Sequence, residues 1–230
     1  MKGFILFSSR FSVSLPLFVQ LNQKTMKKTI LLSAAAVLMA LASCSGNQEP
    51  ASSSPSFDEV LASRRSVRSY DATKKISEAQ VKELFAAVQD APSWANQQPS
   101  KYYVAMSEEK LKAVQNLVGQ NKERIANAPV LIVSTFERGK SGFHGDEPVN
   151  EVGDGWGAYD NGLSNCYLIM KARAMGFDTL IMGMRDADPL RELFAIPSNE
   201  SVMAVIALGY RADEPKRPQH RGLDEILKIY

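Results

Sequence analysis

DNGLSNCYLIMKARAMGFDTLIMGM, residues 160–184, decides the fold. Leu163, Cys166, Tyr167, Met170 and Ala174 recur at three- and four-residue intervals, and Gly176 stands where a left-handed cap ends a helix. A stripe of this kind marks a central helix, and FDTLIMGM then reads as a strand entered directly from it. Working outward, KYYVAM (101–106), PVLIVST (129–135) and SVMAVIALGY (201–210) are the other strand candidates, the second of them continuous enough to be buried. Ser56 and Glu59 form a capping box for a short helix over FDEVLASR. Ser77 and Gln80 form another, with Ile76 and Val81 placed as a hydrophobic staple and Val81, Leu84, Phe85 and Val88 on one face. Ser107 caps a helix carrying Leu111, Val114 and Val118, and a short helix opens at Asp188-Pro189. Strands scattered between long helices predict an α+β fold, a central mixed or antiparallel sheet flanked by helices, rather than regular βαβ winding. The chain shows no internal repeat.

The first residues read differently. Met26-Lys27-Lys28, the run TILLSAAAVLMALA and Ser43-Cys44 give a basic region, an apolar core and small residues before a cysteine. The run is too short to cross ~30 Å of hydrocarbon, so it predicts a secretory signal. LASC, Leu41 to Cys44, resembles the lipobox of bacterial lipoproteins, which implies cleavage before Cys44 and a lipid upon it. The expected product is an exported, membrane-anchored lipoprotein of the periplasm or cell envelope that meets the membrane only through Cys44; the alternative is a plain secretory signal with an incidental cysteine. Residues 1–43 are thus a leader and signal peptide, with Met26 a better start than Met1. Residues 44–55 are a polar tether with two prolines, and 56–230 are a single domain.

Charge and cysteine count narrow the function classes. The leader holds five of the 27 basic residues and no acid, leaving 22 basic against 25 acidic side chains. A chain without a basic surplus is a poor nucleic-acid binder. With Cys44 lipidated, Cys166 is the only remaining thiol, so no intrachain disulfide forms. His144 and His220 have no second imidazole or cysteine at ligand spacing, so no metal site is expected.

Three stretches carry candidate chemistry. RRSVRSY, residues 64–70, sets three arginines around Ser66. Such a cluster is a solvated face, or guanidinium and hydroxyl donors gathered on a phosphate monoester. APSWANQQP, residues 91–99, presents Ser93, Asn96, Gln97 and Gln98 beside Trp94 between two prolines. Those polar groups either bond to their own backbone or pair with the edge of a heteroaromatic ring. GYRADEPKRPQHRGLDE, residues 209–225, is a surface tail, or a second wall for the phosphate if Lys216, Arg217 and Arg221 fold back on the first cluster.

In their order and spacing, RRSVRSY, the PSxxNxQP pattern of Pro92 to Pro99, the apolar strand ending in Gly183, and LGYRADEPK followed by RGLDE resemble the nitroreductase family of flavin enzymes. The resemblance runs from about Phe57 to the C-terminus. It implies a nitroreductase-like fold, bound FMN and a homodimer whose flavin sites lie between subunits. It places Arg64, Arg65 and Ser66 on the phosphate and ribityl chain, and Arg68 at the flavin N1/O2 edge. Asn96 falls near the pyrimidine edge, with Gln98 as a further amide of that loop. Pro92, Ser93 and Trp94 would pack on the flavin of the other subunit, the Gly183 N–H would face flavin N5, and Arg221 is a further phosphate ligand. Gln219 departs from the family, which often has a basic residue there; either Lys216 or Arg217 substitutes for it, or the phosphate is held less tightly.

The implied activity is reduction of a nitroaromatic or quinone acceptor by ping-pong hydride transfer, with no side chain acting as nucleophile or general acid. Because NAD(P)H is not expected outside the cytoplasm, an exported member needs another donor or another reaction. The alternatives are a flavin-dependent dehalogenase-like specialist and a redox-silent surface binding module. Residues 137–159, rich in glycine and acids, are either a lid with Phe143, Trp156 or Tyr159 on the substrate or a disordered connector.

Overall fold

The computed structural model describes residues 54–230, which form one compact unit. The signal segment, Cys44 and most of the tether lie outside the described residues. Helix α1 (Phe57–Ser63) and helix α2 (Glu78–Val88) start at Ser56 and Ser77, and both capping boxes close. Strand β1 (Ser100–Ala105) leads to α3 (Glu108–Gln115), which Ser107 caps by accepting the Lys110 N–H at 3.3 Å. Strand β2 (Val130–Glu137), the short β3 (Phe143–His144) and β4 (Glu147–Pro148), and helix α4 (Gly155–Ala174) follow. The chain then runs through β5 (Asp178–Met182), α5 (Ala187–Phe194), β6 (Glu200–Gly209) and the single-turn α6 (Leu223–Ile226).

The main sheet has the order β1-β2-β6-β5 and every neighbouring pair is antiparallel. It is therefore antiparallel rather than mixed; among the described residues its one parallel feature is an isolated bridge from Ser66 to Thr179 at the outer edge of β5. Between β2 and β6, Ser134 pairs with Ala204 and Thr135 with Val202, so Met203 is the extra residue of a bulge. One face of the sheet packs Val114, Val118 and Leu190 from α3, the turn after it and α5; the other packs Val81, Leu84 and Val88 of α2 and Leu168 and Ala172 of α4. The predicted helix–sheet–helix layering is present.

Helix α4 lies where the sequence places it and ends at Gly176 with φ +83°. Its apolar stripe, however, does not face this chain's core. The buried positions are Gly157, Asp160, Asn161, Ser164, Asn165, Leu168 and Ala172, whereas Tyr159, Cys166 and Tyr167 are exposed. The inversion is stable because the inward polar groups have partners on the sheet. Ser134 Oγ lies 3.0 Å from both Asn161 Oδ1 and Asn165 Oδ1, and Asn161 Nδ2 donates to the Thr135 carbonyl at 2.9 Å. Buried polar groups are tolerated when paired in this way.

Residues 137–159 are not a disordered connector. They fold into the β3–β4 hairpin and the first turn of α4, held by Val149 N–H to the Gly142 carbonyl at 2.8 Å and Gly139 N–H to Asp154 Oδ1 at 2.7 Å. Phe143 pairs with Pro148 in the hairpin. Trp156 and Tyr159 sit on α4, their rings 5.8 Å apart, and Trp156 Nε1 donates to Asn150 at 2.9 Å.

Candidate functional site

Two groups of residues singled out in the sequence occupy opposite ends of α4. At one end is the 92–98 loop. Ala95, Asn96 and Gln98 have φ of 42°, 57° and 49°. Asparagine tolerates this region, but alanine and glutamine rarely adopt it, and each such residue costs about 1–3 kcal/mol. Several bonds hold the shape: Trp94 N–H to Asp160 Oδ2 at 2.9 Å, Gln98 N–H to Ser93 Oγ at 2.9 Å, and Gln98 Nε2 to Asn96 Oδ1 at 2.8 Å. Ser93, Asn96 and Gln98 thus bond within their own loop, but of these side chains only Ser93 bonds to backbone; Asn96 and Gln98 bond to each other. The loop still presents a surface. Pro92, Ser93 and Gln98 line a groove of about 560 Å³ with Phe85, Tyr102 and Asp160, and the Trp94 ring packs against Trp156 at a tilt, centroids 5.0 Å apart.

At the other end is the arginine cluster. Helix α1 stops at Ser63, and Arg64 is already extended (φ −62°, ψ 131°). The chain then runs beside β5, with Val67 N–H bonded to the Thr179 carbonyl at 3.0 Å. Arg65 Nη1 donates to the Arg64 carbonyl at 2.6 Å and Arg68 Nη1 to the Ser66 carbonyl at 3.1 Å. Among the described residues, no carboxylate pairs with Arg64, Arg65 or Arg68, and Arg65 Nε is buried with no hydrogen-bond partner. One cation at a helix C-terminus complements the helix dipole; three gathered without an acid leave charge to spare. Ser66 is exposed.

Gly183 directly follows β5, is exposed, and has nothing within 4 Å of where a Cβ would stand. Arg221 is exposed in the segment before α6. Among the described residues, Lys216, Arg217 and Arg221 are exposed and make no ion pair and no side-chain hydrogen bond. Arg211 reaches the cluster. Its Nη2 donates to the Ser63 carbonyl at 3.1 Å and to Asp178 Oδ1 at 2.6 Å, and its Nε to Asp178 Oδ2 at 2.8 Å. This bidentate pairing and the Glu214 carboxylate hold the Arg211 guanidinium protonated well above its usual range. Arg173 completes the group, with Nε to Ser63 Oγ at 3.0 Å.

Asp160, which holds the loop, and Arg173, which holds the start of the cluster, stand thirteen residues apart on α4. At 1.5 Å per residue that is about 20 Å. Asp160, Asp178, Arg173 and Arg211 were not singled out as site residues in the sequence. Their partners lie 66, 33 and 110 positions away, and only the LGYRADEPK motif drew notice to Arg211 at all.

An antiparallel sheet between two helical layers, with an arginine cluster that has no carboxylate partner among the described residues at one sheet edge and a strained amide-bearing loop at the far end of the central helix, defines an α+β protein. Residues 61–210 match the nitroreductase family, and the chain belongs to that family. It is 24% identical over 201 residues to YdgI of Bacillus subtilis (strain 168), assigned as an NAD(P)H nitroreductase; the match covers 75% of this chain and 96% of that one. It is 27% identical over 173 residues to the NAD(P)H-dependent FMN reductase of the same organism, covering 69% of each. In fold it resembles a protein of Exiguobacterium sibiricum 255-15 that was crystallised with FMN and assigned as a nitroreductase. That match has a TM-score of 0.70 and 21% identity, over 76% of this chain and 98% of that one.

Proposed function

We propose that the protein is an FMN-dependent oxidoreductase that works as a homodimer and reduces a small organic acceptor of the nitroaromatic or quinone type. The observation that carries this reading is the arginine cluster: three guanidinium groups at one sheet edge with no carboxylate partner among the described residues, one of them with a buried Nε that has no hydrogen-bond partner there. A phosphate monoester supplies the missing acceptors and charge. When bound, FMN supplies two-electron hydride chemistry, accepting a hydride from a reduced donor and passing it to the acceptor in turn.

The chain's own residues bind and orient. Arg64, Arg65 and Ser66 hold the phosphate and ribityl chain, and Arg221 of the C-terminal segment adds a further cation. Arg68 sets a positive charge at the N1/O2 edge of the ring, where it favours negative charge. Gly183 offers a backbone N–H to the ring at N5, and the space where a Cβ would stand is open. Pro92, Ser93, Trp94, Asn96 and Gln98 stand about 20 Å from the cluster along α4 and serve the flavin held by the second copy. The exposed stripe of Tyr159, Cys166 and Tyr167, together with Ile181 and Met184, is the surface that a second copy covers. The groove and the Trp94–Trp156 pair give a planar acceptor an aromatic wall. No side chain is assigned as nucleophile or general acid. With the signal segment read as above, the enzyme is exported and tethered by Cys44.

Arg64→Ala and Ser66→Ala test the phosphate assignment by flavin fluorescence titration. A hydrogen bond to a charged group is worth about 1.5–3 kcal/mol, so each is expected to weaken FMN binding about 10- to 100-fold. Unchanged affinity in both overturns the assignment.

A further inference from the structure

Arg64, Arg65 and Ser66 are held at both ends, and both holds lead to adjacent residues of β5. On the downstream side, Val67 N–H is bonded to the Thr179 carbonyl at 3.0 Å, and Tyr70 O–H donates to the Val67 carbonyl at 3.2 Å. On the upstream side, Ser63 is gripped twice. Arg211 Nη2 donates to its carbonyl at 3.1 Å and Arg173 Nε to its Oγ at 3.0 Å. Both guanidinium groups meet at Asp178, next to Thr179. Arg211 binds it bidentately at 2.6 and 2.8 Å, and Arg173 Nη1 lies 3.4 Å from Oδ1.

The Asp178 side chain is 2% exposed. Ion pairs this deep contribute little net stability compared with apolar residues of the same size, but removing one partner is costly. What such a group does supply is fixed geometry. Glu214 accepts from Arg211 Nη1 at 2.6 Å, so two carboxylates balance two guanidinium groups. The network therefore neutralises itself and leaves the charges of Arg64, Arg65 and Arg68 available.

We infer that Asp178, Arg211 and Arg173 are positioning residues that fix the Arg64–Ser66 segment for a phosphate monoester without touching the ligand. This rests on the proposed FMN site. The network anchors the segment that carries the phosphate contacts, so its loss should weaken FMN more than riboflavin, which has the same ring and ribityl chain but no phosphate.

The experiment measures dissociation constants of the full chain for both flavins in wild type, Arg211→Met, Arg211→Lys and Ser63→Ala. Arg211→Met is expected to raise the FMN constant about tenfold, as loss of a charge-assisted anchor would, and to raise the riboflavin constant by clearly less. Arg211→Lys, which keeps the charge without the fork, is expected to recover part of the loss. Ser63→Ala keeps the Asp178–Arg211 pair and is expected to cost about threefold for FMN and less for riboflavin; it carries the test if Arg211→Met does not fold. Equal weakening of both flavins, or weakening of neither, overturns the inference while leaving the FMN site standing. A wild type that binds FMN no better than riboflavin overturns the phosphate assignment and this inference together.

Discussion

Tyr167 lies in the middle of the apolar stripe on α4 and is 41% exposed in a single copy. A tyrosine side chain carries about 200 Å² of buriable surface, so a partner can cover about 80 Å² there, worth about 2 kcal/mol at ~25 cal/mol per Å². In a two-fold dimer the same surface occurs on both sides, so Tyr167→Glu removes this contribution twice, about 4 kcal/mol. Two carboxylates placed in an apolar contact add several kcal/mol more. Dimerisation should therefore weaken by at least about 10³-fold. In size-exclusion chromatography with light scattering at low micromolar concentration, the wild type and Tyr167→Phe are expected as dimers and Tyr167→Glu as a monomer. The monomer is also expected to lose FMN, although Tyr167 is assigned no flavin contact, because the 92–98 loop of the second copy leaves with it. A Tyr167→Glu variant that stays dimeric and keeps its flavin refutes the placement of this stripe at the subunit contact.

Three further expectations bear on other parts of the molecule. In Gly142→Ala the added Cβ would stand 2.4 Å from Trp156 Cδ1 at a φ of +81°, so the β3–β4 hairpin should be destabilised by about 1–3 kcal/mol and Tm lowered by several degrees in calorimetry; an unchanged Tm contradicts the packing of Trp156. Burial and the Glu200 carboxylate, which accepts from Tyr103 O–H at 2.9 Å, push the Tyr103 hydroxyl from its ordinary 10.0 up to about 12. The unfolded state then loses its proton first, so this contribution is intact below pH 10.0 and falls away toward about 12. Urea unfolding across that window should show a shallower decline in Tyr103→Phe, and identical slopes would count against it. For the leader, Cys44→Ser is expected to move the protein from the membrane fraction to the soluble one, whereas continued membrane fractionation contradicts lipidation.

What could be read in the sequence was what is local. Ser56, Ser77 and Ser107 announce their helices because a cap and its partner lie three residues apart, and β2 announces itself because every residue from Val130 to Phe136 is buried. The arginine cluster was visible as composition, and the 91–99 loop as prolines and amides. The facing of α4 was not legible. Its stripe of Leu163, Cys166, Tyr167 and Met170 marks an apolar surface but not whose core it joins, and the partners that let Asn161 and Asn165 turn inward lie on β2, about thirty residues earlier. Still longer separations, 66 and 148 residues, hid Asp160 beneath Trp94 and, beneath Ser63, Arg211 of the Asp178–Arg211 pair. Residues 137–159 offered glycines and acids with no period, because a hairpin of two-residue strands is too short to show one.

The central claim is that this chain holds FMN. The most direct measurement is the visible absorption spectrum of the purified protein, taken before and after adding FMN and desalting. The account predicts flavin absorption bands that survive desalting in the wild type and are lost in a variant carrying alanine at Arg64, Arg65 and Arg68. A wild-type protein that stays colourless and fails to retain added FMN contradicts it, and returns the arginines to an ordinary solvated surface.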